Sequence, residues 1–594
     1  MRTLRRLAIV SVFGAMLAQS ADSALAKGDP ATGKSSATVC QTCHGVAGKS
    51  PTDQWPNLAG QGQAYLIKQL KGFRDGTRKD PLMSPVAKGL SDDDIDNLAA
   101  YFSSITPAAV AEAAAAKPAA PVAAPHPPII ASPQFIEPRS HTTRQYWADQ
   151  LPEGDAKSII TVKCQFCHDL QRAIAFARPR GQWEQVVGSM KRRGSPLTPE
   201  ETQVVIDYLT KNFGPDSPAI IGPRGVVEVG VKPCARSEWP KGSSDFRSDW
   251  KGSYNIWVSN QQGGGINIVD PTTLHIVRTI KCLSAPDRIE FSRDGNTAYA
   301  PDRVEHNLTV IDTRTGAITA KVPVVDRPNT AVLSRDYKKL YMGIWPVRPD
   351  EHTHGYIQIV DTAALKVVKT LETKGGIHDT WMSPDGKLLL GMSPSAKFMN
   401  VYDTSDDRLL YTCCTEAEIG TMLMEAAADG STSRFFISYS GFHGIVAIDA
   451  RTGKEVQRVA YPSLKGTTGA SEIYFNGIQE PPLGGGSGFH GAEIAADGKS
   501  VWAISGSTIW HYSLPDLKYL GSVQLARVDQ AGNLFAPAVE GTWLTVAPDG
   551  QKVYGVRPGR NLMSVVDAKS LKEEALVPTG EYPLHISIWP RGTP

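Results

Sequence analysis

The sequence predicts a multidomain chain in which two all-α modules precede an all-β, seven-bladed propeller closed by the C-terminal strand. Three observations carry this prediction. The pattern C-x-x-C-H occurs at Cys40–His44 and again at Cys164–His168, an Ala- and Pro-rich tract lies between the copies, and a repeat starts at Tyr254. The period of that repeat, about 40 to 45 residues, is typical of propeller blades. The boundaries are 1–26 for a signal peptide, 27–105 for the first module, 106–144 for a linker, 145–215 for the second module, 216–253 for a connecting segment and 254–594 for the propeller.

A chain of 594 residues is too long for one hydrophobic core and implies several domains. Its 62 Lys and Arg against 60 Asp and Glu are dispersed, which speaks against a nucleic-acid groove or a membrane-surface footprint. Arg2, Arg5 and Arg6 precede the apolar run Leu7–Leu17, and Ala24-Leu-Ala26 supplies small residues for cleavage before Lys27. That run is short of the roughly 20 residues needed to span a bilayer, so the expectation is an exported, periplasmic protein with no membrane span in the mature chain.

In C-x-x-C-H the two thiols stand one helical turn apart, each able to form a thioether with a haem vinyl group, and the adjacent His reaches the iron. Cys40, Cys43 and His44, and Cys164, Cys167 and His168, therefore predict two covalently bound haem c groups. A zinc half-site would want a second Cys/His pair nearby, and a thioredoxin-like pair has no use for the His. Four cysteines remain, Cys234, Cys282, Cys413 and Cys414, free to pair in an oxidising compartment in a connectivity the sequence leaves open.

After the first motif, Trp55-Pro-Asn-Leu-Ala-Gly60 leads into a helical pattern with Tyr65, Leu66, Gln69, Leu70 and Phe73 on one spacing. A loop with Lys79-Asp-Pro-Leu-Met83-Ser-Pro follows, then Ser91 as N-cap of an acidic helix start. This order resembles the small bacterial class I cytochromes c, and the resemblance implies that Met83 is the sixth iron ligand and that the haem is attached outside the cytoplasm. The tract from Thr106 to about Ser132 reads as a semi-extended tether. The second module continues through Gln182-Trp183 and Met190 to Thr198-Pro199, a capped helix start. It resembles the haem domains of multidomain periplasmic dehydrogenases, and Met190 is its candidate distal ligand.

Within the repeat, turns of the type Ser-x-Asp-Gly or its variants precede strands that end in Val/Ile-Asp-Thr, as in Phe291-Ser-Arg-Asp294-Gly with Val310-Ile-Asp312. Asp270, Asp361, Asp403, Asp449 and Asp567 hold the same late position, while the sixth unit has His511-Tyr-Ser-Leu instead. These repeats resemble the bacterial YVTN β-propeller family. Tyr254–Cys282 supplies the outer three strands of one blade and Tyr582–Trp589 an isolated first strand, so the chain's end completes its beginning.

Blade register brings Asp287, Asn329, His378, Met422, His490 and Thr542 to the start of the innermost strands, with His585 one residue off. Loops opening on the same face carry His306, His354 and His443. The expected result is a His-rich metal centre at one end of the channel, with ligand types that suit copper, zinc or iron and copper as the favoured metal. Arg288, Arg327 and Glu540 are candidate substrate-orienting charges, making His378, His490, His585, Glu540 and Arg288 the candidate catalytic set. The architecture is similar to His-rich copper propeller oxidoreductases and to cytochrome cd nitrite reductase. The functional expectation is oxidation of a small-molecule substrate on the propeller, with electrons passing through the two haems to a soluble cytochrome or cupredoxin. The alternatives are a non-catalytic dihaem carrier whose propeller docks a redox partner, and a reductase with a haem d1-like cofactor.

Overall fold

The structure is a computed structural model that describes residues 28–37, 40, 44, 48–50, 56–80, 83–88, 90–106, 126–132, 151–164, 170, 178–192, 195, 197–215, 217, 234–248, 250, 252–261, 265–346, 354–393, 396–416, 419–427, 429–439, 442, 444–462, 491–505, 508–526 and 543–589. The predicted signal peptide lies outside them. The chain divides into two compact units, Met1–Ala119 and Ala120–Pro594.

In the first unit, Asp29 caps the helix Pro30–Ser36 by accepting from the N–H groups of Ala31 and Thr32 at 3.0 Å each. Gly33 lets this helix meet the helix Asp92–Ser104 backbone to side, because a Cβ there would fall 2.0 Å from the Asn97 carbonyl oxygen. Ser91 and Asp94 form the capping box that starts the second of these helices. Leu66 and Phe73 of the helix Gln63–Arg74 are buried, and Leu66 joins Ala37, Leu98, Ala99, Phe102 and Ile105 in the core. Met83, expected in a loop, is instead the first residue of a short helix, Met83–Lys88. The Asp80 carboxylate accepts from its N–H at 2.8 Å, a side-chain cap that the Pro-flanked sequence concealed.

The second unit contains a small helical core and the propeller. Helices Arg180–Arg192 and Pro199–Asn212 pack around Trp183, Val187, Val205, Ile206 and Leu209. The buried Trp183 donates through Nε1 to the Phe213 carbonyl at 3.1 Å. Glu201 closes the capping box with Thr198 and also pairs with buried Lys163 at 2.6 Å. One carboxylate thus ties the helix start to the residue preceding Cys164.

Seven four-stranded antiparallel sheets make the propeller. The innermost strands of blades 2 to 7 are Glu290–Phe291, Pro328–Leu333, Asp379–Met382, Ile419–Ala426, Gly491–Ile494 and Leu544–Val546. In blade 1 that place belongs to Pro583–Trp589, which pairs with Asn255–Asn260 from the start of the repeat. The completed blade is tied to both neighbours: Trp589 Nε1 donates to the Gly295 carbonyl of blade 2, and the Tyr254 hydroxyl meets that of Tyr554 in blade 7 at 2.8 Å. Gly295 has φ +66°, and a Cβ on it would lie 2.9 Å from Trp589 Nε1, so the turn glycine serves both conformation and packing.

The repeat's acidic markers are turn formers. Asp270, Asp361, Asp403, Asp449 and Asp567 each accept from backbone N–H groups two or three residues on, redirecting the chain into the outermost strand. In the sixth blade Ser513 takes that place and accepts from Lys518 N–H at 3.1 Å. Second strands such as Lys339–Ile344 are almost wholly buried, whereas the outermost strand Lys366–Thr373 is largely exposed.

Two segments outside the repeat cover outer edges. Pro128 and Ile130 exchange backbone hydrogen bonds with Leu576 in the outermost strand of blade 7, and Ser132 Oγ accepts from Ile276 N–H in that of blade 1. This stretch falls within the predicted linker, and its Ile129-Ile130 pair adds to a strand edge as a tether would not. Farther on, Pro240 and Ser243 bond to Ile318 and Thr315, and Arg247 donates to the Thr313 carbonyl at 2.8 Å. A disulfide between Cys234 and Cys282 anchors this second segment to blade 1.

Candidate functional site

The first haem motif presents a buried imidazole. His44 is 3% exposed, its Nδ1 lies 2.7 Å from the Pro56 carbonyl oxygen, and its Nε2 is buried without a protein partner. A backbone carbonyl that holds one ring nitrogen while the other stays unpaired is the arrangement of an iron-ligating His. Half-buried Cys40 packs on the surrounding core, and Met83 is half-buried. The imidazole nitrogen, thiol and thioether sulfur fit a covalently held haem, with His44 and Met83 as the residues that would take the axial positions. Cys43 lies outside the described residues.

In the second motif Cys164 ends the helical turn Ile160–Cys164, while Cys167 and His168 lie outside the described residues. Met190 is half-buried on the helix Arg180–Arg192. The Arg178 guanidinium sits over the Trp183 ring at 4.9 Å, joining the N-terminal approach of this helix to the core.

At the propeller's channel mouth the register positions hold two imidazole–carboxylate pairs. His585, 1% exposed, places Nε2 2.7 Å from Asp287 Oδ1 as an ion-pair contact, while its buried Nδ1 has no protein atom in hydrogen-bond geometry. His378 Nδ1 lies 2.9 Å from Asp379 Oδ1. Asp287 is also held by Arg288 N–H at 2.8 Å, Gln261 Nε2 at 3.2 Å and Arg303 Nη1 at 3.4 Å.

Burial lowers the His585 pKa below the ordinary imidazole value, against the opposing pull of Asp287 and Asp379. Burial raises the Asp287 carboxyl, but His585, Arg303 and the Arg288 N–H outweigh it and the net shift is downward. Asp379 is likewise lowered overall, because His378 and Arg288 outweigh its burial.

Aromatic rings frame this cluster. Trp543 lies 4.4 Å from the His585 ring, Trp345 lies 5.3 Å from His378, and Trp381 lies under the Arg288 guanidinium at 4.3 Å. Arg288, expected to orient substrate, donates to the Ala331 and Thr380 carbonyls at 2.8 and 3.0 Å and sits 3.6 Å from Glu290. Through these contacts it braces blades 2, 3 and 4. Arg327 is similarly engaged, donating to the Trp345 carbonyl at 3.3 Å. Asn329 is 1% exposed with neither amide atom bonded to protein.

His306 is half-buried in its loop and His354 is exposed. His443, His490 and Glu540 lie outside the described residues, as does the Met422 side chain. Among the described residues, no three His, Cys, Asp or Glu side chains converge as a metal-holding group. Register analysis found Asp287, Asn329, His378 and His585 but passed over Asp379, Trp381 and Trp543. The available signal was proximity in sequence, since Asp379 and Trp381 follow His378 within three residues and Trp543 follows Thr542 directly.

Residues 30–106 match the cytochrome c family. The chain is 46% identical over 80 residues to cytochrome c-554(548) of Halomonas halodenitrificans, covering 13% of this chain and 96% of that protein. It is 47% identical over 79 residues to cytochrome c4 of Pseudomonas aeruginosa, covering 13% of this chain but only 39% of that relative's length. Among solved structures, the Kuenenia stuttgartiensis hydrazine synthase aligns with 56% of this chain and 97% of its own, at 16% identity and a TM-score of 0.40. With a buried, carbonyl-held His44 in a module that matches nearly the full length of a small cytochrome, the chain belongs, through residues 30–106, to the cytochrome c family.

Proposed function

We propose that this is a periplasmic, dihaem c-type oxidoreductase that oxidises a small substrate at the propeller's channel mouth. Electrons would leave through the haem on Cys164 and Cys167, then the haem on Cys40 and Cys43, to a soluble cytochrome or cupredoxin. The observation that carries the reading is a pair of imidazoles, buried His585 and half-buried His378, each beside a carboxylate. A carboxylate that fixes one ring nitrogen directs the other toward a proton or a metal. His585 Nδ1 is thereby the group to accept a proton from substrate or to ligate a metal such as copper. A haem c accepts one electron at a time, so two haems match a two-electron oxidation.

Elemental analysis with a haemochrome assay tests this reading on the full chain and on the His378→Ala/His585→Ala variant. The expected result is two haems, with one further metal equivalent that disappears in the variant while haem content stays constant. Two irons and no other metal in both proteins would overturn the metal centre. Cys167→Ser is expected to halve the haem content, and an unchanged content would refute the second haem.

A second reading, a docking platform for a redox partner, has its own support. Leu409, Leu410, Val456, Tyr519 and Leu520 are exposed on the outermost strands of blades 4 to 6. A partner that binds the two-iron protein without substrate turnover, and loses binding in Leu410→Asp/Leu520→Asp, would favour it.

A further inference from the structure

Cys413 closes the outermost strand of blade 4, and Cys414 begins the crossing to the innermost strand of blade 5. Both are free thiols in the structure, with sulfurs 2.7 Å apart, beyond the covalent S–S length of about 2.0 Å but within close approach. Cys414 has φ +66°, a conformation uncommon for a residue with a side chain. Both side chains are half-buried against Met399, Ile437, Tyr439 and Val446. A Cβ on Gly453 would lie 3.0 Å from Cys413 Cβ, so the neighbouring turn comes close against the pair.

Blade 1 offers an internal comparison. Cys282 follows its outermost strand in the same left-handed conformation, φ +67°, and is disulfide-bonded to Cys234 from the covering segment. The exported compartment inferred above suits disulfides in general. At the equivalent place in blade 4, the sulfur within reach belongs to the preceding residue.

We propose that Cys413 and Cys414 form a vicinal disulfide that opens and closes as a two-electron redox site on the rim of the propeller. Closure is thiol–disulfide exchange with a disulfide donor. One Cys thiolate attacks the donor disulfide and expels a donor thiolate, and the second Cys thiolate then displaces the other half of the donor. The pair loses two protons and two electrons, and the donor disulfide becomes two thiols. Adjacent residues have Cα atoms about 3.8 Å apart, below the usual span of a disulfide, so this bond reopens more readily than an unconstrained one. The ring would fix the entry into Ile419–Ala426, a channel-lining strand.

The test is peptide mapping of the full holoprotein. The chain is equilibrated with oxidised glutathione or graded dithiothreitol, quenched with N-ethylmaleimide in denaturant and cut with trypsin. Both cysteines fall in one peptide, 409–434, separate from those carrying Cys234 and Cys282. The expected result is an unlabelled peptide lighter by two hydrogens after oxidation, gaining two labels at a dithiothreitol concentration that leaves Cys234–Cys282 closed. Two labels after every oxidising treatment, or glutathione retained on one cysteine, would overturn the proposal, as would reopening only together with Cys234–Cys282. Cys413→Ser serves as the folding control: one label on Cys414 beside an intact Cys234–Cys282 bond shows that the peptide is readable without the ring.

Discussion

The imidazoles of the propeller illustrate how a residue's surroundings, more than its identity, set its chemistry. His585 faces a carboxylate and becomes a candidate proton acceptor or ligand, whereas His511 stacks on Trp502 with ring centroids 3.7 Å apart. Burial pushes the His511 pKa down to about 4, with Asp497 only partly opposing it. The unfolded chain, with an imidazole pKa of about 6.5, takes up a proton that the folded chain refuses. Stability from this residue is therefore full above about pH 6.5 and is lost as pH falls toward about 4, a change on the order of 3 kcal/mol. Thermal melts from pH 7 to pH 4 are expected to show a shallower acid decline in His511→Phe than in the wild type. Equal declines would refute the assignment. The sequence marked His511 only as a departure from the repeat, because its charge balance depends on a neighbouring strand.

Among the elements, the helix Pro199–Asn212 shows one residue doing two jobs. Glu201 was legible as an N-terminal helix residue after Thr198-Pro199, but its pairing with Lys163 spans 38 positions and has no local signature. Removing one partner of a buried pair strands the other charge, at a cost of about 3 to 5 kcal/mol. Glu201→Ala is expected to destabilise the helical core around Trp183 by that order. Amide hydrogen exchange along residues 199–212 should accelerate strongly while exchange in helix Asp92–Ser104 of the other unit stays unchanged; no acceleration would show that the pair contributes little. The first module makes the complementary point. Ser91 and Asp80 each cap a helix by accepting from the N–H three residues on, but the prolines on either side of Met83 masked the second cap by reading as a loop.

At the scale of the whole molecule, the C-terminal strand Pro583–Trp589 brings His585, Trp589 and six backbone registers to a blade that begins more than 300 residues earlier. A chain ending at Tyr582 is expected to lose the cooperative melt of the propeller while retaining the absorption of the haem on Cys40 and Cys43. Retention of a wild-type propeller melt would refute this role for the strand. The two C-x-x-C-H motifs, the seven repeats and their Asp-capped turns were determined by the sequence itself, since each is a local pattern of spacing, capping or strand periodicity. The tertiary structure decided which carboxylate backs each imidazole, that Cys234 bonds Cys282, that Arg288 braces three blades, and that residues 126–132 lie along the edges of blades 7 and 1. The physical reason is range: capping and periodicity act over a few residues, whereas these contacts join distant parts of the chain only after the blades have packed into a ring.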